Sequence, residues 1–219
     1  MPIKAVIFDM DGVLVDSEVY WWRARQAFAR DLGKVWTDEG QRRVMGPSTI
    51  EWARIMKDIL QPAMSVEAIM DDIIRRVMAQ YDAQLPTRPG ALAAVHLAAQ
   101  HYRVGLASGS PTAVIQHVLR LTGLDSVFEV VVYGDDMARG KPAPDIYFEA
   151  LRPLAVMPEA AVGIEDSGNG IRALKAAGMK AIAAPSPDFP LSEEIMKLAD
   201  AYIPSLEDFS LELVNRLDV

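Results

Sequence analysis

The sequence contains no cysteine, which removes disulfides, thiolate nucleophiles and sulfur-bound zinc. Any catalysis must come from oxygen, imidazole or amine groups. No apolar run approaches the roughly 20 residues that cross a bilayer. The N-terminus lacks the basic region and small-residue cleavage site of a secretory signal. A soluble, cytoplasmic chain without a membrane partner is expected. Histidine is scarce: His96, His101 and His117 all fall in stretches that read as surface helices. Cations are outnumbered, with 22 Lys and Arg against 30 Asp and Glu and a net charge of −8. Such a field repels phosphate backbones, so nucleic acid is not expected as a partner. What is abundant is apolar surface. With 51% hydrophobic and 24% charged residues the chain can bury a sizeable core, which excludes disorder. Its 219 residues suit one main core plus a modest insertion.

IKAVIF, residues 3–8, is a short apolar run that stops at DMDGVLVDS, a buried strand entering a polar loop. From residue 17 to 85 the pattern turns helical. Ser48 and Glu51 form a capping box ahead of Trp52, Ile55, Met56 and Ile59. Ile69, Ile73, Val77 and Tyr81 then recur every four residues. Four tryptophans, Trp21, Trp22, Trp36 and Trp52, lie in this stretch. Core packing is their default role, with a crevice-facing role for some left open. Pro86, Pro89 and Gly90 mark a change of architecture. Beyond them the strand-like runs YRVGLAS, FEVVVY, AVGIE and KAIAA alternate with helical segments, and two last helices flank a short AYI run. This alternation predicts an α/β fold, a doubly wound parallel sheet joined by the first strand, with residues 17–86 inserted as a small helical domain into a core of 1–16 and 87–219.

Ligands of open parallel sheets bind at the carboxyl ends of strands. Those ends carry Asp9 and Asp11, Ser108-Gly109-Ser110, Lys141 in the loop after VVVY, and Glu165-Asp166. Each group alone has an ordinary explanation. Asp9 and Asp11 could be a solvated turn, Ser108 a helix cap, Lys141 a surface lysine, and Glu165-Asp166 an acidic pair favouring the helix that follows. Those explanations do not account for four such groups at four ends of one sheet. Four carboxylates facing one lysine need a further cation, and all-oxygen ligands favour Mg2+. A metal, a lysine and a hydroxyl together suit the oxygens of a phosphoryl group, leaving Asp9 free as nucleophile.

A competing pattern, Gly168-Asn169-Gly170-Ile171-Arg172-Ala173 with Asp188 downstream, matches a dinucleotide fingerprint. It lies too near the C-terminus for a second mononucleotide half. Its glycines are expected instead to turn the chain away from the carboxylates.

DMDGVLVDS, LASGS, GKPAPDIY and GIEDSGNGIRA resemble, in order and spacing, the four motifs of the haloacid dehalogenase superfamily. The inserted helices resemble the cap of its β-phosphoglucomutase-like and sugar-phosphate phosphatase subgroup. The resemblance implies that Asp9 attacks phosphorus to form an aspartyl-phosphate, and that Asp11 serves first as general acid and then as general base. It implies that Ser108 and its loop hold phosphate oxygens and that Lys141 neutralises Asp9. Mg2+ would be held by Asp9, by the Asp11 carbonyl, by Asp166 and by Glu165 in or just behind that shell. Gly12, Gly109, Ser110 and Asn169 in the core, with Asp16, Glu18, Arg43, Gly46 and Ser48 in the cap, are the implied substrate contacts. Asp11 points to phosphate esters rather than carbon–halogen bonds. The mutase carries a histidine, an arginine and a lysine where Trp21, Thr49 and Pro111 stand here. Hydrolysis of a small phosphorylated metabolite, a sugar or polyol phosphate, is therefore expected of a monomer or weak dimer, with mutase activity as the alternative.

Overall fold

A computed structural model describes residues 2–45 and 48–218. The first apolar run forms β1 (Ala5–Phe8). The helices α1 (Glu18–Asp31), α2 (Asp38–Val44), α3 (Thr49–Leu60) and α4 (Val66–Ala83) follow. Next come α5 (Ala91–Ala99), β2 (Arg103–Ser108), α6 (Thr112–Thr122) and β3 (Val130–Tyr133). Then α7 (Asp145–Leu154), β4 (Ala161–Glu165), α8 (Gly168–Ala177) and β5 (Lys180–Ala183) complete the alternation. The chain closes with α9 (Glu193–Met196), β6 (Ala201–Tyr202) and α10 (Leu211–Asn215). Among the described residues the sheet has six strands in the order β3-β2-β1-β4-β5-β6, all paired in parallel. The chain winds outward from β1 through β2 to β3, then returns to β4 and winds the other way. This is the expected doubly wound α/β fold.

The strands are buried on both faces because helices cover both. Side chains alternate along β1: Val6 and Phe8 enter a cluster with α5 and α6, while Ala5 and Ile7 enter one with α7 and α8. The first cluster continues without a break into the helical block, through Trp21, Phe28, Trp52, Ile69, Ile73, Val77 and Tyr81. The four-residue period seen in the sequence is thus the buried face of α4. His117 Nε2 of α6 lies 2.9 Å from Asp82 Oδ1 of α4, a second tie between block and sheet. His101 sits in the turn after α5, not in a helix as expected.

The stretch expected to be helical from 17 to 85 breaks between its helices. Thr37 and Ser65 cap new starts by accepting from Gly40 N–H and Ala68 N–H. The two crossings between block and sheet run side by side. Asp16 N–H donates to the Pro86 carbonyl at 2.8 Å, and Arg88 N–H to the Leu14 carbonyl at 2.9 Å. Among the described residues no helix is long and apolar enough to cross a membrane.

Ile7 is fully buried in the central strand. Ile7→Ala should cost about 2–5 kcal/mol in urea denaturation, whereas Val35→Ala, at a residue 78% exposed, should stay within about 0.5 kcal/mol. Equal shifts would contradict this placement of the core.

Candidate active site

The register that pairs Phe8 with Leu106 and Ile164 brings the next residues, Asp9, Ala107 and Glu165, to one end of the sheet. Lys141 reaches this end from the loop after β3. Its ammonium donates to Asp9 Oδ1 at 2.6 Å, to Glu165 Oε1 at 2.6 Å and to the Ala107 carbonyl at 3.1 Å. Glu165 is saturated. Its Oε1 also accepts from the Tyr147 hydroxyl at 2.7 Å, and its Oε2 accepts from the Ser167 hydroxyl at 3.0 Å and N–H at 3.3 Å. Carboxylate oxygens of Asp9, Glu165 and Asp166 all lie within 4.8 Å of one another. Asp11 stands beside them. Its Oδ2 accepts from the hydroxyls of Ser108 at 3.2 Å and Ser110 at 2.7 Å. Its Oδ1 is buried with no partner among the described residues.

Burial pushes the Asp9 carboxyl up to about 8; Lys141 opposes the rise, and Glu165 and Asp11 add to it. Burial likewise holds Asp166 well above the usual carboxylate range, helped by Glu165 and Asp9. Burial works against the Lys141 ammonium, yet Asp9 and Glu165 hold it well above its ordinary value. One ammonium therefore does not neutralise this group, and the raised acids mark where positive charge is missing. The donors are hard carboxylate oxygens, a set that fits Mg2+ and not a soft metal.

Two glycines make the crowding sterically feasible. Gly12 has φ +75°, and a Cβ there would fall 1.9 Å from Asp166 Oδ2. A Cβ on Gly170 would fall 1.8 Å from the Glu165 carboxylate carbon. The expectation that the glycines of 168–173 turn the chain is thus corrected for Gly170. It lies inside α8, and its missing side chain is the space Glu165 occupies.

The remaining sequence candidates separate into two groups. Ser108, Ser110 and Gly12 stand at the carboxylates, although the Gly12 N–H is donated to the Val15 carbonyl at 2.7 Å and the Ser110 N–H to Ser108 Oγ at 3.1 Å. Asp16 lies at the crossing to the helical block, and Glu18 Oε1 accepts from Gln41 Nε2 at 2.5 Å. Gly109, Arg43 and Asn169 are exposed, and no hydrogen bond or ion pair among the described residues joins Arg43 or Asn169 to the carboxylates. Ser48 is exposed at the start of α3, its hydroxyl donating to Glu51 Oε2 at 2.6 Å. Gly46 lies outside the described residues.

Sequence reasoning missed two tyrosines. Tyr147 is fully buried, with its ring 5.1 Å from Lys141 Nζ. In the sequence it passes for the apolar face of a helix; the available signal was a hydroxyl at a position that must be buried, which needs a partner. Tyr81 of α4 buries a hydroxyl with no partner among the described residues. Burial raises its ionisation far above the usual phenol range, and Asp11 adds to this. A cavity of about 580 Å³ lies elsewhere, against the edge strand β3, lined by Val130, Met137, Arg139 and Phe148 among others. It holds none of the clustered carboxylates, and perturbed charge is the better guide to chemistry.

A sequence profile of haloacid dehalogenase-like hydrolases matches residues 3–178. The chain is 34% identical over 215 residues to hexitol phosphatase B of Escherichia coli K12, covering 95% of each chain. It is 34% identical over 181 residues to the phosphorylated carbohydrates phosphatase of Thermotoga maritima, covering 82% of this chain and 84% of that one. The crystal structure of CbbY from Rhodobacter sphaeroides in complex with phosphate superposes with a TM-score of 0.86 at 28% identity, covering 98% and 99% of the two chains. The chain belongs to the haloacid dehalogenase-like hydrolase family. Within that family it is a phosphatase.

Gly170→Ala should fold but lose at least about tenfold in phosphatase kcat, because the new methyl group displaces Glu165 from Lys141. Gly168→Ala, whose Cβ would meet Ile195 at 3.3 Å, should keep most of its activity. Comparable rates for the two variants would contradict the role given to Gly170.

Proposed function

We propose that this enzyme hydrolyses small sugar or polyol phosphate monoesters with Asp9 as the transient phosphoryl carrier. The observation that carries the reading is the Lys141 ammonium held between Asp9 and Glu165 at 2.6 Å each, with Asp166 completing the carboxylate group. A carboxylate oxygen of Asp9 attacks phosphorus and the bond to the ester oxygen breaks. Asp11 gives its proton to the departing alkoxide. The same carboxylate then takes a proton from water, whose oxygen attacks phosphorus, releasing inorganic phosphate and restoring Asp9. The partnerless Asp11 Oδ1 supports this assignment, since the Ser108 and Ser110 hydroxyls fix only the other oxygen. Lys141 and the loop of Ser108 face the phosphoryl oxygens.

Asp9 and Asp166 through their side chains and Asp11 through its main-chain carbonyl would hold Mg2+, with Glu165 behind them gripping Lys141. The ion supplies positive charge against the phosphoryl oxygens.

Residues 17–86 act as a cap on a core of 1–16 and 87–219, hinged where Leu14–Asp16 runs beside Pro86–Arg88. Closure excludes water while phosphorus is transferred. Polyhydroxylated substrates agree with the hexitol and carbohydrate phosphatases among the relatives. The mutase alternative is disfavoured because Trp21 carries no imidazole and is packed against Trp52 at 6.0 Å between ring centres.

The purified protein should release inorganic phosphate from members of a sugar and polyol phosphate panel when Mg2+ is present and lose that activity in EDTA. Asp9→Asn should lower kcat at least about a thousandfold. Full activity in Asp9→Asn, or glucose 6-phosphate instead of inorganic phosphate from β-glucose 1-phosphate with a bisphosphate primer, would overturn the reading.

A further inference from the structure

Within the helical block one buried charge is left over. Arg25 of α1 is 5% exposed. Its guanidinium carbon lies 5.4 Å from the Trp21 ring centre and 5.7 Å from that of Trp52. Its Nε has no hydrogen-bond partner among the described residues. No ion pair among those residues includes it. Burial lowers its pKa to about 10, with Glu18 opposing, so it remains a cation at neutral pH. Contact with two indoles returns part of the desolvation cost of a guanidinium but leaves its buried Nε–H without an acceptor. The buried Arg88 donates to the Pro185 carbonyl at 3.4 Å, and Lys141 has two carboxylates. Arg25 is a donor whose Nε lacks an acceptor.

Its place in the fold says which molecule supplies one. Glu18, Trp21 and Arg25 follow one another at three- and four-residue spacing, along one face of α1. That face begins two residues after Asp16, in the crossing that leaves the Asp9 loop. At about 1.5 Å per residue, Arg25 stands roughly 10 Å along the axis from Glu18. The flat edge of a guanidinium matches a carboxylate through two parallel hydrogen bonds. Glu18 contributes one nearby negative charge, which opposes a doubly charged phosphate more than a singly charged carboxylate.

The geometry points to Arg25 as the anchor for a substrate carboxylate: the preferred ester is a phosphorylated sugar acid, its carboxylate on Arg25 and its phosphate at Asp9. This rests on the phosphatase reading and narrows its substrate class.

The test compares gluconate 6-phosphate, sorbitol 6-phosphate and fructose 1,6-bisphosphate, with p-nitrophenyl phosphate as a generic ester and Mg2+ throughout. The acid should exceed the polyol in kcat/KM by roughly tenfold to a hundredfold, mainly through KM. Arg25→Gln should bring that ratio near one, and Arg25→Lys should restore part of it. An equal or better rate on sorbitol 6-phosphate, or a preference for the bisphosphate over both, overturns the proposal. Should Arg25→Gln fail to fold, calorimetry on Asp9→Asn protein gives the same comparison with Arg25 intact, and equal affinity for acid and polyol overturns it. Release of phosphate from the generic ester without preference for the acid removes only the carboxylate site. No release from any ester removes the phosphatase reading as well.

Discussion

More negative charge is buried at the carboxyl end of the sheet than one lysine can neutralise, and most other features of this molecule serve that arrangement. Asp9, Glu165 and Asp166 share a few ångströms with the Lys141 ammonium. Tyr147 and Ser167 occupy the rest of Glu165, so that residue is fixed in place and holds Lys141 against Asp9. Gly12 and Gly170 exist as glycines because carboxylates stand where side chains would. The parallel sheet is what makes the concentration possible. Three adjacent strands end at the same level, and the acids follow β1 and β4, two distant stretches of sequence.

The α/β class, a parallel sheet joined by the first strand and the identity of the clustered groups were legible in the sequence. Strand runs are short and apolar, and the candidate acids and Ser108 sit at their ends, with Lys141 in the loop after VVVY. The sequence did not show which oxygen of each acid is engaged, because that depends on partners brought in by packing. Tyr147 illustrates the difference: spacing marks it as buried, while only the fold shows Glu165 opposite its hydroxyl. Gly170 was read as a turn residue because a glycine's dispensability for turning and its necessity for close approach look alike in one dimension. Breaks between the four inserted helices were blurred for a similar reason: Thr37 and Ser65 act as caps only once the following helix is formed.

The inserted helices share their apolar cluster with one face of the sheet, so in this closed arrangement block and sheet are one hydrophobic unit joined by two adjacent crossings. In the function proposed for the enzyme, this divides the labour. Phosphoryl chemistry belongs to the sheet, where the groups are set by register. Recognition belongs to the helices, where Arg25 lies against Trp21 and Trp52. Parts of the substrate far from phosphorus then contribute binding energy that orients the reacting atoms.

The charge imbalance is tested most directly by titrating Mg2+ into the substrate-free protein in a calorimeter. Saturable binding of one ion per chain, lost in Asp166→Asn, is the predicted result. No detectable binding, or binding undiminished in that variant, would contradict the claim that these buried acids require a divalent partner.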